Sequence, residues 1–180
     1  MAIVTNKLVI GRSPKCASQY LGKIMRIIDP TCLLFDHYPK LDDINLPDRL
    51  NVFFVRHPLD WYASYYAYRQ RHGWAFGNSA NSGAELDNCY SETFDGFIDN
   101  CLKRPPYLTY LYDFLMAGRA DNIGHVESID QDLSRFLNIP KSKLPKIDRV
   151  NVSTNPPTWS DTYRSRLKVH ESYIIDRWYS

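Results

Sequence analysis

Short apolar runs alternate along this chain with stretches in which apolar residues return every three or four positions. These are the periods of strands and helices. Leu8, Val9 and Ile10 form the first run, which turns at Gly11-Arg12-Ser13-Pro14. Beyond the turn a helix is predicted from about residue 18, with Leu21, Ile24, Met25 and Ile28 on one face. Asp29-Pro30 stops it, because proline cannot continue the hydrogen-bonded ladder. Residues 32–35 predict a second short, buried strand. Residues 51–55 (Asn51, Val52, Phe53, Phe54, Val55) predict a central strand of the kind that parallel sheets bury on both faces. A helix over about 59–69 follows, with Pro58 suited to its first turn.

Residues 72–90 carry glycine and asparagine without a clear period, which predicts a long loop, a lid or an acceptor-binding segment. Helices are predicted over 93–102 and, after Pro105-Pro106, over 107–117, the latter ended by Gly118. Residues 122–126 predict a weaker strand leading into Glu127. Ser128-Ile129-Asp130-Gln131 then has the form of a capping box ahead of Leu133, Phe136 and Leu137. Residues 141–157 are basic and irregular, and one last helix starts near Ser160 with Tyr163, Leu167 and Ile174 on one side. This succession predicts an α/β fold. Residues 1–180 would form a single three-layer domain with a central, mostly parallel sheet of about four to five short strands flanked by helices.

Composition narrows the function classes. The chain has 180 residues, with 44% apolar and 23% charged, inside the range of soluble globular domains. A net charge of +2 is too small to predict a nucleic-acid or membrane surface. No apolar run approaches the ~18 residues of a membrane span, and the first ten residues lack the basic and apolar regions of a signal peptide. Cys16, Cys32, Cys89 and Cys101 form no C-x-x-C pair and have no histidines at zinc spacing. They read as free thiols of a cytoplasmic protein that uses no metal. The 13 tyrosines and 4 tryptophans suit either an aromatic core or stacking on flat ligands.

The candidate chemistry starts at the first turn. A strand, a basic turn and a helix N-terminus together favour an anion, through backbone N–H groups, the helix dipole and the charge of Lys15. The turn is not a Walker A loop, since Lys15 stands before Cys16-Ala17 and does not follow a glycine. An ordinary β–α turn with a surface lysine is the alternative. His37, Arg56 and Glu127 also fall just past predicted strands, where open α/β sheets bind ligands. Ser64 follows Arg56 by eight residues. On the plainer reading His37 is a loop histidine and Arg56 pairs with Asp60.

Taken in order, these stretches resemble one family. Pro14-Lys15-Cys16-Ala17-Ser18-Gln19-Tyr20-Leu21 resembles the P-K-S/C-G-T-T-W/S-L loop of sulfotransferases that use 3′-phosphoadenosine 5′-phosphosulfate. Val55-Arg56-His57-Pro58-Leu59-Asp60, with Ser64-Tyr65-Tyr66, resembles the family's R-x-P-x-D/E-x-x-x-S-x-Y motif. Asp36-His37-Tyr38-Pro39 is similar to its T-H-L-P segment, and His125-Val126-Glu127-Ser128-Ile129 to its Y-E-D/S/T-L segment. Val150-Asn151-Val152-Ser153 and the end of the chain resemble the tail of carbohydrate-type members.

The resemblance implies a P-loop NTPase-like sulfotransferase fold and sulfuryl transfer to a small-molecule or glycan hydroxyl acceptor. Residues 15–19 would hold the 5′-phosphosulfate, with Lys15 also catalytic. Tyr20 would lie against the adenine, Arg56 and Ser64 would grip the 3′-phosphate, and His37 would be the catalytic base. No metal, nucleic acid or membrane is implied. The chain departs from the family at Ala17, where glycine is usual, and at Gln19, where threonine is usual. A methyl group at Ala17 crowds the phosphate if the position needs a positive φ. A P-loop-type nucleotide kinase and a non-catalytic nucleotide-binding protein remain as alternatives.

Overall fold

The computed structural model describes residues 2–35, 44, 46, 48–74, 84–116, 118–148 and 156–180. Five strands form one sheet in the order β3-β1-β2-β4-β5: β1 (Ala2–Val4), β2 (Leu8–Arg12), β3 (Leu33–Phe35), β4 (Leu50–Val55) and β5 (Asn122–His125). Eight α-helices are described: α1 (Ser18–Ile28), α2 (Pro58–His72), α3 (Ala84–Asp87), α4 (Phe94–Leu102), α5 (Tyr107–Met116), α6 (Ile129–Leu137), α7 (Asp161–His170) and α8 (Ser172–Trp178). The chain divides into two compact units. Met1–Arg56 with Tyr112–Val152 make the first, and His57–Leu111 with Ser153–Ser180 the second.

The first unit holds the sheet, and the sheet is mixed. β2, β4 and β5 pair in parallel, whereas β1 is antiparallel to both β2 and β3. The strand the pattern did not predict is β1. Its three apolar residues precede Thr5-Asn6-Lys7 and fold back on β2 as a hairpin. Thr5 closes it: its N–H donates to the carbonyl of Leu8 at 2.9 Å, and its Oγ1 accepts from the N–H of Leu8 at 2.8 Å. β3 pairs with β1 alone and lies at one edge of the sheet. Residues 32–35 therefore do not form a buried strand: β3 spans Leu33–Phe35, with Leu33 60% exposed.

Alternation along the strands sorts the core. Ile3, Leu8, Ile10, Val52 and Phe54 face one side, where Leu21, Ile24 and Met25 of α1 and Ile129 and Leu133 of α6 cover them. On the other side Phe53 meets Tyr112 of α5 edge to face, centroids 5.8 Å apart. Gly124 of β5 is small for a reason. A Cβ there would come within 2.6 Å of the Phe54 ring and 3.0 Å of Phe136, the two rings that pack at right angles over it.

Three further expectations change. Ser128 does not close a capping box; its Oγ donates to Asp132 Oδ2 at 2.7 Å, and that oxygen also accepts from the N–H of His125 at 2.9 Å. The buried Asp132 carboxylate thus ties Ser128 to the end of β5. Within 72–90, α2 runs on to His72 and Ala84–Asp87 makes a helical turn, while residues 75–83 lie outside those described. The last helix is two, broken at Glu171 in the second unit. That carboxylate is fully buried. It accepts from the phenol of Tyr62 at 2.7 Å, from the N–H groups of Leu108 and Thr109 at 3.0 Å each, and from the Thr109 hydroxyl at 2.8 Å. It thereby caps the start of α5.

The rest of the second unit is an aromatic core. Trp61 and Tyr65 stack 5.3 Å apart, and Tyr65 stacks on Phe97 at 6.3 Å. The Tyr65 phenol donates to Asp87 at 2.8 Å, and Arg69 bridges to the same carboxylate at 2.6 Å. Tyr62, Tyr65 and Tyr66 of α2 are thus core residues, whereas Tyr68 is 40% exposed. Among the described residues no helix is long and apolar enough to cross a membrane.

Candidate functional site

Strand register sets the site. Arg12 of β2 is level with Phe54 of β4, and Val55 of β4 with His125 of β5. Phe35 of β3 is level with Ala2, and Ala2 with Gly11. The turn at 13–17, Arg56 and the Val126–Ser128 turn bearing Glu127 therefore leave the same edge of the sheet. In the strand order the chain leaves β2 for β3 on one side and leaves β4 for β5 on the other. Adjacent parallel strands whose connections diverge open the crevice where α/β sheets bind ligands. Lys15 and Arg56 follow those two strands.

The turn itself has unusual backbone. Lys15 has φ 61° and Ala17 has φ 53°, both in the left-handed region that disfavours a Cβ. Ala17 is the N-cap of α1, where serine, threonine or aspartate is usual, and it has no side chain to offer the first amides. No acidic residue stands in the first turn of α1. Backbone that steps into the left-handed region turns successive N–H groups toward one concavity, an arrangement that binds anions. Strain of about 1–2 kcal/mol at each residue is the cost of that shape.

Neighbours hold the turn in place. Arg56 Nη1 donates to the carbonyl of Lys15 at 3.2 Å. Arg12, buried at the end of β2, donates from Nη1 to the carbonyl of Ser18 at 2.8 Å and from Nη2 to that of Phe35 at 3.5 Å. The guanidinium approaches α1 at Gly22, where a Cβ would stand 3.0 Å from Nη1. Cys16 is fully buried, with Sγ 3.3 Å from the hydroxyl of Tyr112. Burial pushes its thiol up to about 11, although hydrogen bonds with Tyr112 and Ser13 and the charge of Arg56 pull it down; the charge of Glu127 adds to the rise. A thiol so placed stays protonated at neutral pH and is a structural group, not a nucleophile.

The structure thus brings Lys15, Cys16, Ala17, Ser18 and Arg56 together in the first unit. Lys15, Ala17 and Ser18 are half-buried, and Gln19 is exposed. Tyr20 is placed otherwise. It is 5% exposed, packs in the core, and its phenol donates to Asp130 at 2.6 Å. Its ring has no open face for an adenine, because the i, i+4 neighbours of a core-facing stripe point the same way. Ser64 is 7% exposed on α2, in the second unit. His37 and Val150-Asn151-Val152-Ser153 lie outside the described residues.

Two residues of the site carry no motif. Arg12 reads in sequence as one more basic residue of the turn, and only its burial marks it as a brace. Tyr112 sits in a helix of aromatic residues, 56 positions from Arg56. It nonetheless accepts from the Arg56 N–H at 2.9 Å and donates to the Arg56 carbonyl at 3.2 Å. Among the described residues no group of three histidine, cysteine, aspartate or glutamate side chains is arranged to hold a metal ion. Comparison of the chain with family models, curated proteins and solved structures found no match.

Proposed function

We propose that the chain is a sulfotransferase that moves a sulfuryl group from 3′-phosphoadenosine 5′-phosphosulfate to a hydroxyl acceptor. The observation that carries this reading is the left-handed turn at Lys15 and Ala17, leaving β2 beside Arg56 at the end of its parallel neighbour β4. A donor with charge at both its 5′ and 3′ ends calls for two anion-binding elements. The turn and Arg56 are two such elements on adjacent strands.

Lys15 and the amides of residues 17 and 18 suit the phosphosulfate; the N–H of Cys16 is taken up within the turn, donating to the carbonyl of Ser13 at 3.3 Å. As the S–O bond breaks, negative charge grows on the oxygen that stays with the phosphate, and fixed donors stabilise it. Arg56 suits the 3′-phosphate through charge-assisted hydrogen bonds from a planar guanidinium. Ser64 joins it on the resemblance and the eight-residue spacing alone. His37, by the same resemblance, takes the proton of the attacking hydroxyl, which imidazole chemistry near neutral pH allows. The balance is simple: the acceptor oxygen gains the sulfuryl group, its proton passes to His37, and adenosine 3′,5′-bisphosphate leaves. Tyr20 is not assigned a part.

The acceptor class that the tail resemblance favours is a carbohydrate hydroxyl. The test is transfer of labelled sulfuryl from the donor to a panel of sugars, phenols and lipids. Transfer to any of them, lost with the Lys15→Ala variant, supports the reading. Tight binding of adenosine 3′,5′-bisphosphate without transfer to any acceptor would favour the non-catalytic alternative. Dependence on magnesium and a nucleoside triphosphate would favour the kinase.

A further inference from the structure

We propose that Tyr112 is a positioning residue whose hydroxyl fixes the spacing between the phosphate-binding turn and Arg56, so that the two act as one site for a ligand with two anionic groups. This rests on the reading of the site as one for a bisphosphorylated nucleotide.

The hydroxyl stands among three partners. It accepts from the Arg56 N–H at 2.9 Å, donates to the Arg56 carbonyl at 3.2 Å, and lies 3.3 Å from Cys16 Sγ. A phenol has one proton to give and two lone pairs to receive. With its own proton on the Arg56 carbonyl, the remaining lone pair is matched by the S–H of Cys16. One arrangement of protons satisfies all three contacts, and it joins residues 40 apart in sequence. The side chain of Arg56 then returns to the turn, through Nη1 to the carbonyl of Lys15. Tyr112, Arg56, Lys15 and Cys16 form a closed ring of contacts within the first unit.

A packing role alone would not need the hydroxyl. The ring of Tyr112 meets Phe53 edge to face, and a phenylalanine keeps that contact and fills nearly the same volume. The oxygen instead ties two loops whose separation decides what fits. A ligand with two anionic groups at a set covalent distance gains from that fixed separation, since no ordering is left to be done on binding. A ligand with one anionic group needs only one element.

Tyr112→Phe separates the two roles. Calorimetry with adenosine 3′,5′-bisphosphate should show a dissociation constant raised about tenfold, against less than about threefold for adenosine 5′-monophosphate. Amide hydrogen exchange should quicken in both 13–18 and 53–57. Cys16→Ala, which removes one contact from the other end, should shift the same readouts in the same direction by less. Equal losses for the two ligands, or quickened exchange in one segment alone, would overturn the proposal. If wild-type protein binds neither ligand, the donor reading fails and exchange decides Tyr112: quickening in both segments upholds the tie, and anything less removes it.

Discussion

Arg56 Nη1 donates to the backbone carbonyl of Lys15 at 3.2 Å, so the cation that ends β4 is bonded to the turn that follows β2. One residue has two possible parts there, gripping a phosphate and bracing the loop that grips another. Arg56→Ala distinguishes them. Loss of a charge-assisted contact costs about 1.5–3 kcal/mol, or roughly 10–100-fold in affinity. If Arg56 reads the 3′-phosphate, adenosine 3′,5′-bisphosphate loses that much while adenosine 5′-monophosphate loses little. Equal losses for both ligands in titration calorimetry would leave Arg56 as a brace only.

Ala17 holds a left-handed conformation at φ 53°. Glycine adopts that conformation without penalty. Ala17→Gly is expected to raise stability by about 1 kcal/mol, read as a higher urea midpoint, and to tighten bisphosphate binding because the methyl group leaves the phosphate's path. A lower midpoint would mean that the methyl group packs usefully where it stands.

The buried thiol of Cys16 sets an alkaline limit. Its value rises on folding from 9.0 to about 11 through burial. The unfolded chain therefore releases a proton between pH 9 and 11 that the folded chain keeps. The sign follows: stability from this group is complete below pH 9 and falls as pH rises toward 11, by about 2–3 kcal/mol at most. Urea midpoints of wild type and Cys16→Ala, compared from pH 8 to 11, should converge as pH rises. Parallel curves would remove Cys16 as the cause.

Glu171 accepts four hydrogen bonds while fully buried, two of them from the first amides of α5. Glu171→Ala leaves those donors and the Tyr62 phenol unsatisfied together. The expected cost is about 3–5 kcal/mol, with Glu171→Gln milder because one oxygen remains. Chemical denaturation of both variants checks this; a change below about 1 kcal/mol in Glu171→Ala would mean that water replaces the carboxylate.

Local pattern carried much of the fold. The apolar runs at 8–10 and 51–55 became β2 and β4, Pro58 stands in the first turn of α2, and the helix expected over 93–102 is α4, Phe94–Leu102. These features depend on neighbours within a few residues, so they are legible in one dimension. The positive φ at Ala17 was legible as a condition, from the place where glycine was expected. Tertiary structure decided the rest. Inserting β1 between β2 and β3 turned a sheet expected to be mostly parallel into a mixed one, with residues 33–35 at one edge. Tyr20 went to the core because its helix face is the one that packs on the sheet, and Glu171 broke the last helix because its carboxylate is taken by α5. Tyr112 and Arg56, 56 positions apart, meet only when α5 lies on β4. Strand pairing and buried hydrogen bonds join residues distant in sequence, and no short-range period records which partner each group will find.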